Sequence, residues 1–373
     1  MNIYFWQQSL SPHQADFINN LSNFHKVTLI VEEGLLEWRK KMGWQLKEKD
    51  FESTNVIVNP CDADIKHIFE KAEINSIHIF SGFGSNNLIS KSFNESIKYR
   101  VYRGILAEAR DLSGFKGKIR LLKGISERIL YEKKIDFILA IGSIGLEYFR
   151  KTGFQESKIF PFGYFLSINS FPEKKQKSVN KQFNIIYAGR LTKNKGVKNL
   201  LKSIPLNSRA KFEMHFWGEG DLEGLVKNKI QKENRNKIHL HNFVEREVLI
   251  KQISKSDLLI LPSVKKDGWG VVVNEALMSG TPVIASTQCG SSIMLNHDYL
   301  GRVYKNNDLR TLKKIIIERI NRGPIKKKER EKIKEWSRRI DTNRAARYLE
   351  EILFFVIENK KKPIPPWDDR GEG

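Results

Sequence analysis

Short apolar runs alternate along the whole chain with stretches in which apolar residues recur at helical spacing. In the first half, residues 2–6, 27–31, 56–58, 76–80, 99–102 and 137–141 have the length and β-branched or aromatic content of strands. Phe17, Ile18 and Leu21 mark one face of a helix over 15–21. The second half repeats the pattern, with strand-like runs ending near Ala188, Trp217, Phe243, Ser263 and Ser286. Strands alternating with helices predict parallel sheets covered by helices, an α/β chain of Rossmann-like, doubly wound type. Residues 158–165 read as a short strand leading into 166–182, where Pro172 and the polar run 173–178 predict a hinge. The expected boundaries are therefore 1–168 for one domain and 169–340 for a second. A closing helix over 341–358 carries Ala345, Ala346, Leu349, Ile352, Leu353 and Val356 at helical spacing, and 359–373, without periodicity, is expected to be a flexible tail.

Two segments of the second half carry chemistry. In 267–286, Asp267 and Glu275 lie eight positions apart around a turn containing Gly268, Trp269 and Gly270, with a helix expected from about Val271. Glycines there let backbone amides approach a phosphate, a helix start adds positive potential, and Glu275 sits one turn in, able to reach ligand hydroxyls. Gly280, Thr281 and Pro282 stop that helix before a buried strand. In 185–200, an apolar run ends at Gly189–Arg190, a polar turn carries Lys195–Gly196, and helical spacing resumes through Val197, Leu200, Leu201 and Ile204. Strand, turn and helix in that order present two cations at the carboxyl edge of a parallel sheet, where open sheets bind ligands. Arg190 offers a two-pronged fork to phosphate and Lys195 a mobile point charge.

These residues resemble the donor-site motifs of retaining glycosyltransferases of the GT-B fold, glycosyltransferase family 4 among the glycosyl transferases group 1. The family separates two acidic residues by seven others; Asp267 stands where Glu is usual, which shortens its reach by one methylene. Its Gly-Arg-Leu and Lys-Gly elements, matched by Gly189, Arg190 and Lys195, hold the nucleotide diphosphate. The strand-to-turn segment ending at Gly218 is similar to another family element, and the resemblance implies base contacts at Phe243 and Val244 and delivery of Ser263 to the site edge. It implies two Rossmann-like domains facing a central cleft, with the acceptor on the first. By position, His13 and Gln14 then become acceptor-side candidates. Many members place a histidine near the anomeric carbon after a middle strand. The matching stretch here, 101–111, offers Glu108 instead, with Tyr102, Arg103 and Arg110 as neighbours able to bind acceptor phosphate.

The resemblance implies sugar transfer from a nucleoside diphosphate sugar, expected to be UDP-linked, to a hydroxyl of a glycan or lipid-linked surface-polysaccharide intermediate, with retained anomeric configuration. The sequence offers no metal-ligand cluster such as Asp-x-Asp in a suitable place, so no cofactor and no metal is expected, and the cations take over charge neutralisation. The catalytic candidates are Glu108, Asp267, Arg190 and Lys195.

Composition adds one question. The net charge of +22 suits phosphorylated substrates, an anionic membrane surface or nucleic acid. No nucleic-acid motif is recognisable, and such binding leaves the paired acidic and basic motifs without a purpose. Residues 116–130 interleave cations with apolar side chains and suit anionic lipid headgroups, although Gly117 and Gly124 are expected to weaken a continuous helix. Cys61 and Cys289 lie in different halves, without a disulfide or metal pattern, which fits a reducing cytoplasm. No apolar run approaches a membrane span and no basic leader precedes residues 2–6, so a cytoplasmic protein, peripheral on the inner membrane face, is expected. A sugar-nucleotide epimerase on the same architecture is the alternative, distinguished by donor turnover without acceptor.

Overall fold

The computed structural model describes residues 1–37, 51–84, 86–171, 182–207, 210–232 and 237–369. The hinge run 173–178 and the last residues of the expected tail, 370–373, lie outside the described residues. The chain divides into two compact units, Met1–Ser167 with Ile340–Gly373, and Ile168–Arg339.

The first unit is built on a seven-stranded sheet: β1 (Asn2–Ser9), β2 (Lys26–Glu33), β3 (Asn55–Val58), β4 (Ile77–Phe80), β5 (Tyr102–Ala107), β6 (Phe137–Ile141) and β7 (Ile159–Phe162), in the order β3-β2-β1-β4-β5-β6-β7. Neighbouring strands pair in parallel. Every residue of β4 and β6 is buried, as expected where helices cover both faces. The helix expected over 15–21 runs from Pro12 to Ser22, because proline at the first turn loses no hydrogen bond it would otherwise make.

The strand expected at 99–102 instead begins at Tyr102. Arg103 explains the shift: its guanidinium donates to Ser96 Oγ (3.0 Å), to the Ser96 carbonyl and to the Tyr99 carbonyl (2.7 Å), tying down the chain between the helix Asn87–Ser96 and β5. The closing helix, Thr342–Glu358, belongs to this unit. Tyr348 stacks on Phe162 with centroids 6.2 Å apart, and Thr342 Oγ1 accepts from Asn20 Nδ2 at 2.6 Å. The expected flexible tail is corrected for its described part, since Trp367 is 3% exposed and stacks on Phe165. An indole with its apolar rings out of water holds those residues down.

The second unit carries β8 (Phe183–Ala188), β9 (Phe212–Trp217), β10 (Ile238–His241), β11 (Leu258–Leu261), β12 (Val283–Ser286) and β13 (Gly301–Tyr304), all parallel, in the order β10-β9-β8-β11-β12-β13. Val197, Leu200, Leu201 and Ile204 all enter its core beside Phe183, Ile185 and Tyr187. Both sheets follow the doubly wound order, so the winding reverses between β1 and β4 in the first unit and between β8 and β11 in the second. Such reversals leave a crevice at the carboxyl edge, where ligands of open α/β sheets bind.

Candidate active site

The second-unit crevice is built from the turns after β8 and β11. Gly196 sits at φ +74°, and a Cβ there would lie 1.9 Å from the Pro262 carbonyl oxygen, so only glycine lets the 192–196 turn settle on the end of β11. The Asn194 carbonyl accepts from the amides of Val264 (2.9 Å) and Lys265 (3.3 Å), fastening the same contact. Lys195 is thereby brought to Asp267, Nζ to Oδ2 2.6 Å, across 72 positions of sequence. Ser263 Oγ donates to that carboxylate oxygen at 2.9 Å. A cavity of about 410 Å³ opens beside them, lined by Arg190, Lys193, Lys195, Lys265, Lys266 and Asp267 among others. Five cations in one crevice create a strong positive potential, suited to a polyanionic ligand. Lys265 and Lys266 escaped the sequence reading, although their adjacency to Asp267 was the available signal.

Asp267 is held from the backbone as well. It forms a parallel bridge with Cys289; its amide donates to the Gln288 carbonyl and its carbonyl accepts from the Gly290 amide. The Ser291 amide donates to Trp269 O, so 267–269 is zipped to 288–291, a loop with no sequence signal. Cys289 is fully buried, and burial, with Asp267 adding to it, pushes its thiol up to about 12, which removes it as a nucleophile at neutral pH.

Three donor-side expectations change character. Trp269 is 2% exposed and its indole donates to Asn274 Oδ1 at 2.7 Å, so its side chain is core rather than ligand-facing. Gly189 and Gly218 spend their amides on the Trp217 and His241 carbonyls, and a Cβ at Gly218 would lie 2.2 Å from the Gly189 carbonyl oxygen. Gly218 is therefore a close-approach glycine, whereas Gly189 has room for a Cβ and is set apart by its φ of +150°. The helix expected from Val271 spans Val272–Met278, two turns, with Gly270 at φ +87° before it. Phe243 is half-exposed and its amide donates to Glu219 Oε1 at 3.2 Å; Val244 follows it on the same loop.

Glu275 sits in that helix with its side chain 7% exposed, Oε1 2.7 Å from Arg246 Nε. Burial raises its pKa and the Arg246 charge opposes the rise. Arg246, 29 positions away, was invisible in the sequence. One of its amino groups, Nη2, is buried without a hydrogen-bond partner.

In the first unit, a cavity of about 430 Å³ lies at the carboxyl edge, lined by Gln7, Gln14, Glu108, Arg110, Glu127 and Tyr164 among others. Glu108 Oε1 accepts from Tyr164 Oη at 3.0 Å. Arg110 grips Glu127 with both amino groups, at 2.6 and 2.7 Å. His13 and Gln14 line a narrow adjoining recess with Phe5 and Gln7. Gln7, not singled out in the sequence, lies in β1 and is buried with its Nε2 unpartnered. Tyr102 and Arg103 are corrected: they open β5 at the amino edge of the sheet, and the Arg103 guanidinium is committed to Ser96 and Tyr99.

Comparison with known proteins bears on both units. Residues 170–339 match the family model described as glycosyl transferases group 1. An uncharacterized glycosyltransferase of Methanocaldococcus jannaschii, MJ1069, is 29% identical over 226 residues, 58% of this chain and 57% of that protein. The amylovoran biosynthesis glycosyltransferase AmsK of Erwinia amylovora is 25% identical over 279 residues, 67% of this chain and 68% of that protein. Across three M. jannaschii relatives the chain spans only 32%, 57% and 43% of their lengths. Among solved structures, Anabaena Alr3699/HepE in complex with UDP superposes with a TM-score of 0.72 at 15% identity, over 95% of this chain and 99% of that one. That likeness is one of fold, and the fold is GT-B. Residues 170–339 are thus similar to the glycosyl transferases group 1 domain over somewhat less than half of the chain.

Proposed function

We propose that this chain is a retaining glycosyltransferase that moves a sugar from a UDP-linked donor, bound by the second unit, to an acceptor hydroxyl of a lipid-linked or surface-polysaccharide intermediate, bound by the first. The observation that carries the reading is the crevice at the β8/β11 reversal, where Arg190, Lys195 and Asp267 converge within a family-matched domain. HepE structures hold UDP and UDP-glucose, and AmsK is named for amylovoran biosynthesis, which supports the donor and acceptor classes.

Chemically, the bond from the anomeric carbon to the leaving phosphate oxygen breaks as one to the acceptor oxygen forms on the same face, and the acceptor proton passes to the leaving phosphate. Negative charge grows on the diphosphate. Arg190 and Lys195 offset it from fixed positions, a preorganised field in the place of a divalent ion. Asp267, itself held by the Ser263 hydroxyl, pairs with Lys195; with donor bound, the ammonium is shared with phosphate and Asp267 turns to sugar hydroxyls. Glu275 grips the ribose, and Glu108 with Gln7 and Gln14 orients the acceptor, which is positioning rather than nucleophilic chemistry.

The membrane side of the proposal rests on the helix Gly114–Tyr131. Gly117 and Gly124 do not interrupt it; both are buried, and a Cβ at Gly124 would lie 2.5 Å from Tyr148 Oη. The opposite face exposes Phe115, Ile119, Leu122, Ile129 and Leu130, four-fifths bare at Phe115, among Lys116, Lys118 and Lys123. Apolar residues at that spacing beside cations suit the interface of an anionic bilayer. No described helix is long and apolar enough to cross one.

Thermal shift with UDP, GDP, ADP and CMP tests the donor site. UDP is expected to stabilise the wild type and to fail with Lys195→Ala. Stabilisation by UDP that survives both Lys195→Ala and Arg190→Ala refutes the assignment.

A further inference from the structure

On one face of the β9–β10 strand pair, three half-buried histidines and a glutamate meet where no part of the proposed reaction takes place. Residues of β9 alternate, burying Phe212, Met214 and Phe216 and turning Glu213, His215 and Trp217 outward. In the parallel register of β10, His239 lies opposite His215 and His241 opposite Trp217. Positions i and i+2 of one strand and the facing position of the next share one face, which is how a sheet offers three ligands to one ion.

We infer that Glu213, His215 and His239 form a binding site for a divalent transition-metal ion of the zinc class. One ligand atom from each lies within 4.8 Å of the others. Glu213 Oε2 is 3.3 Å from His215 Nε2 and 3.7 Å from His239 Nε2. Tetrahedral zinc with bonds of about 2.0–2.1 Å separates its ligands by roughly 3.4 Å, so a small rotation of the side chains closes the set. Two imidazoles and a carboxylate are a common zinc donor set, with the fourth position open to water.

Two further contacts give these side chains a ligand-like setting. His239 Nε2 is buried without a hydrogen-bond partner, although it faces the carboxylate. His215 Nδ1 lies 3.1 Å from His241 Nε2. When His215 donates through Nδ1, its Nε2 presents a lone pair to the Glu213 oxygen; two bare acceptors at that distance repel, and a cation between them turns repulsion into binding. His241 then serves as the outer partner that fixes the orientation of a ligating imidazole. It is itself held by Trp217, whose ring stacks on it at 4.0 Å and 11°.

The ion would cross-link β10, the edge strand of this sheet and four residues long, to β9. The chain leaving β10 carries Phe243 and reaches Arg246 within five residues, so the clip stiffens the segment that holds the partner of Glu275.

The test uses the tag-free full chain, freed of metal by chelator dialysis. Cobalt(II) is titrated to read the visible bands of a tetrahedral site, and zinc affinity is measured by competition with a chromophoric chelator. One equivalent is expected, with affinity lost on the order of 100-fold in His239→Ala and in the near-isosteric Glu213→Gln, and about 10-fold in His241→Phe. Circular dichroism confirms that each variant is folded, and Cys61→Ser, which removes an exposed thiol, is expected to bind as the wild type does. Absence of binding by the folded wild type at micromolar zinc overturns the inference, as does unchanged binding in folded His239→Ala and Glu213→Gln.

Discussion

Replacing Arg246 with alanine removes the partner of a nearly buried carboxylate. Glu275 is 7% exposed at its side chain and Arg246 36%, with 2.7 Å between Oε1 and Nε. Charge centres about 4 Å apart in an effective dielectric of about 20 attract by about 4 kcal/mol. The solvent on the arginine side screens part of this, so a loss of about 2–3 kcal/mol is expected, a fall in Tm of roughly 5–10 °C for a unit of this size. The loss must depend on pH. Burial already holds the folded Glu275 pKa above its unfolded value, so protonated Glu275 is favoured by folding, and stability from this group falls as pH rises from the unfolded value through the folded one. Without Arg246 the folded pKa rises further and the fall extends to higher pH. Urea denaturation of both proteins at pH 4 and pH 7.5 is the assay. The gap between them is expected to be small at pH 4, where the carboxyl is largely protonated, and full at pH 7.5. A gap of equal size at both pH values refutes the ionic account and leaves only lost packing against Phe171, over whose ring the guanidinium lies at 5.8 Å.

Lys195→Ala is expected to lower donor kcat/KM on the order of 100-fold, as read by initial rates across donor concentrations, and to cost about 1–2 kcal/mol of stability by unpairing Asp267, whose side chain is 13% exposed. Gly218→Ala forces a Cβ to within 2.2 Å of a carbonyl oxygen at φ +134°, so a loss of about 3 kcal/mol is expected in denaturant titration. Phe115→Glu with Leu122→Glu is expected to weaken sedimentation with phosphatidylglycerol vesicles about 30-fold while leaving UDP-induced stabilisation intact. Equal binding by that variant removes the helix from the membrane reading.

The alternation of strands and helices was legible because parallel strands covered on both faces read as plain apolar runs. That Arg190, Lys195 and Asp267 line one crevice was legible because each follows a strand that ends at the carboxyl edge of the sheet. What escaped depended on partners distant in sequence. Arg246 gains its role only from Glu275, Gln7 only from the cavity at its strand end, and the 288–291 loop only from its backbone bonds to 267–269. β13 escaped because its four residues leave Val303 exposed, and Gly301, whose Cβ would lie 1.8 Å from the Val283 carbonyl oxygen, weakens the apolar signal. Arg103 was misread for the opposite reason. A cation near a family motif suggested a ligand, yet the strand began three residues late and carried it to the amino edge.

The first unit is discontinuous, since the helix Thr342–Glu358 and Trp367 complete a core whose sheet ends at Phe162. During synthesis the second unit is therefore whole before the first. The early sheet waits, with the surface of Phe162 and Phe165 bare, while more than 170 further residues leave the ribosome. A nonsense mutation just after Arg339 spares every residue of the second unit and strikes instead at the fold of the half of the protein translated first.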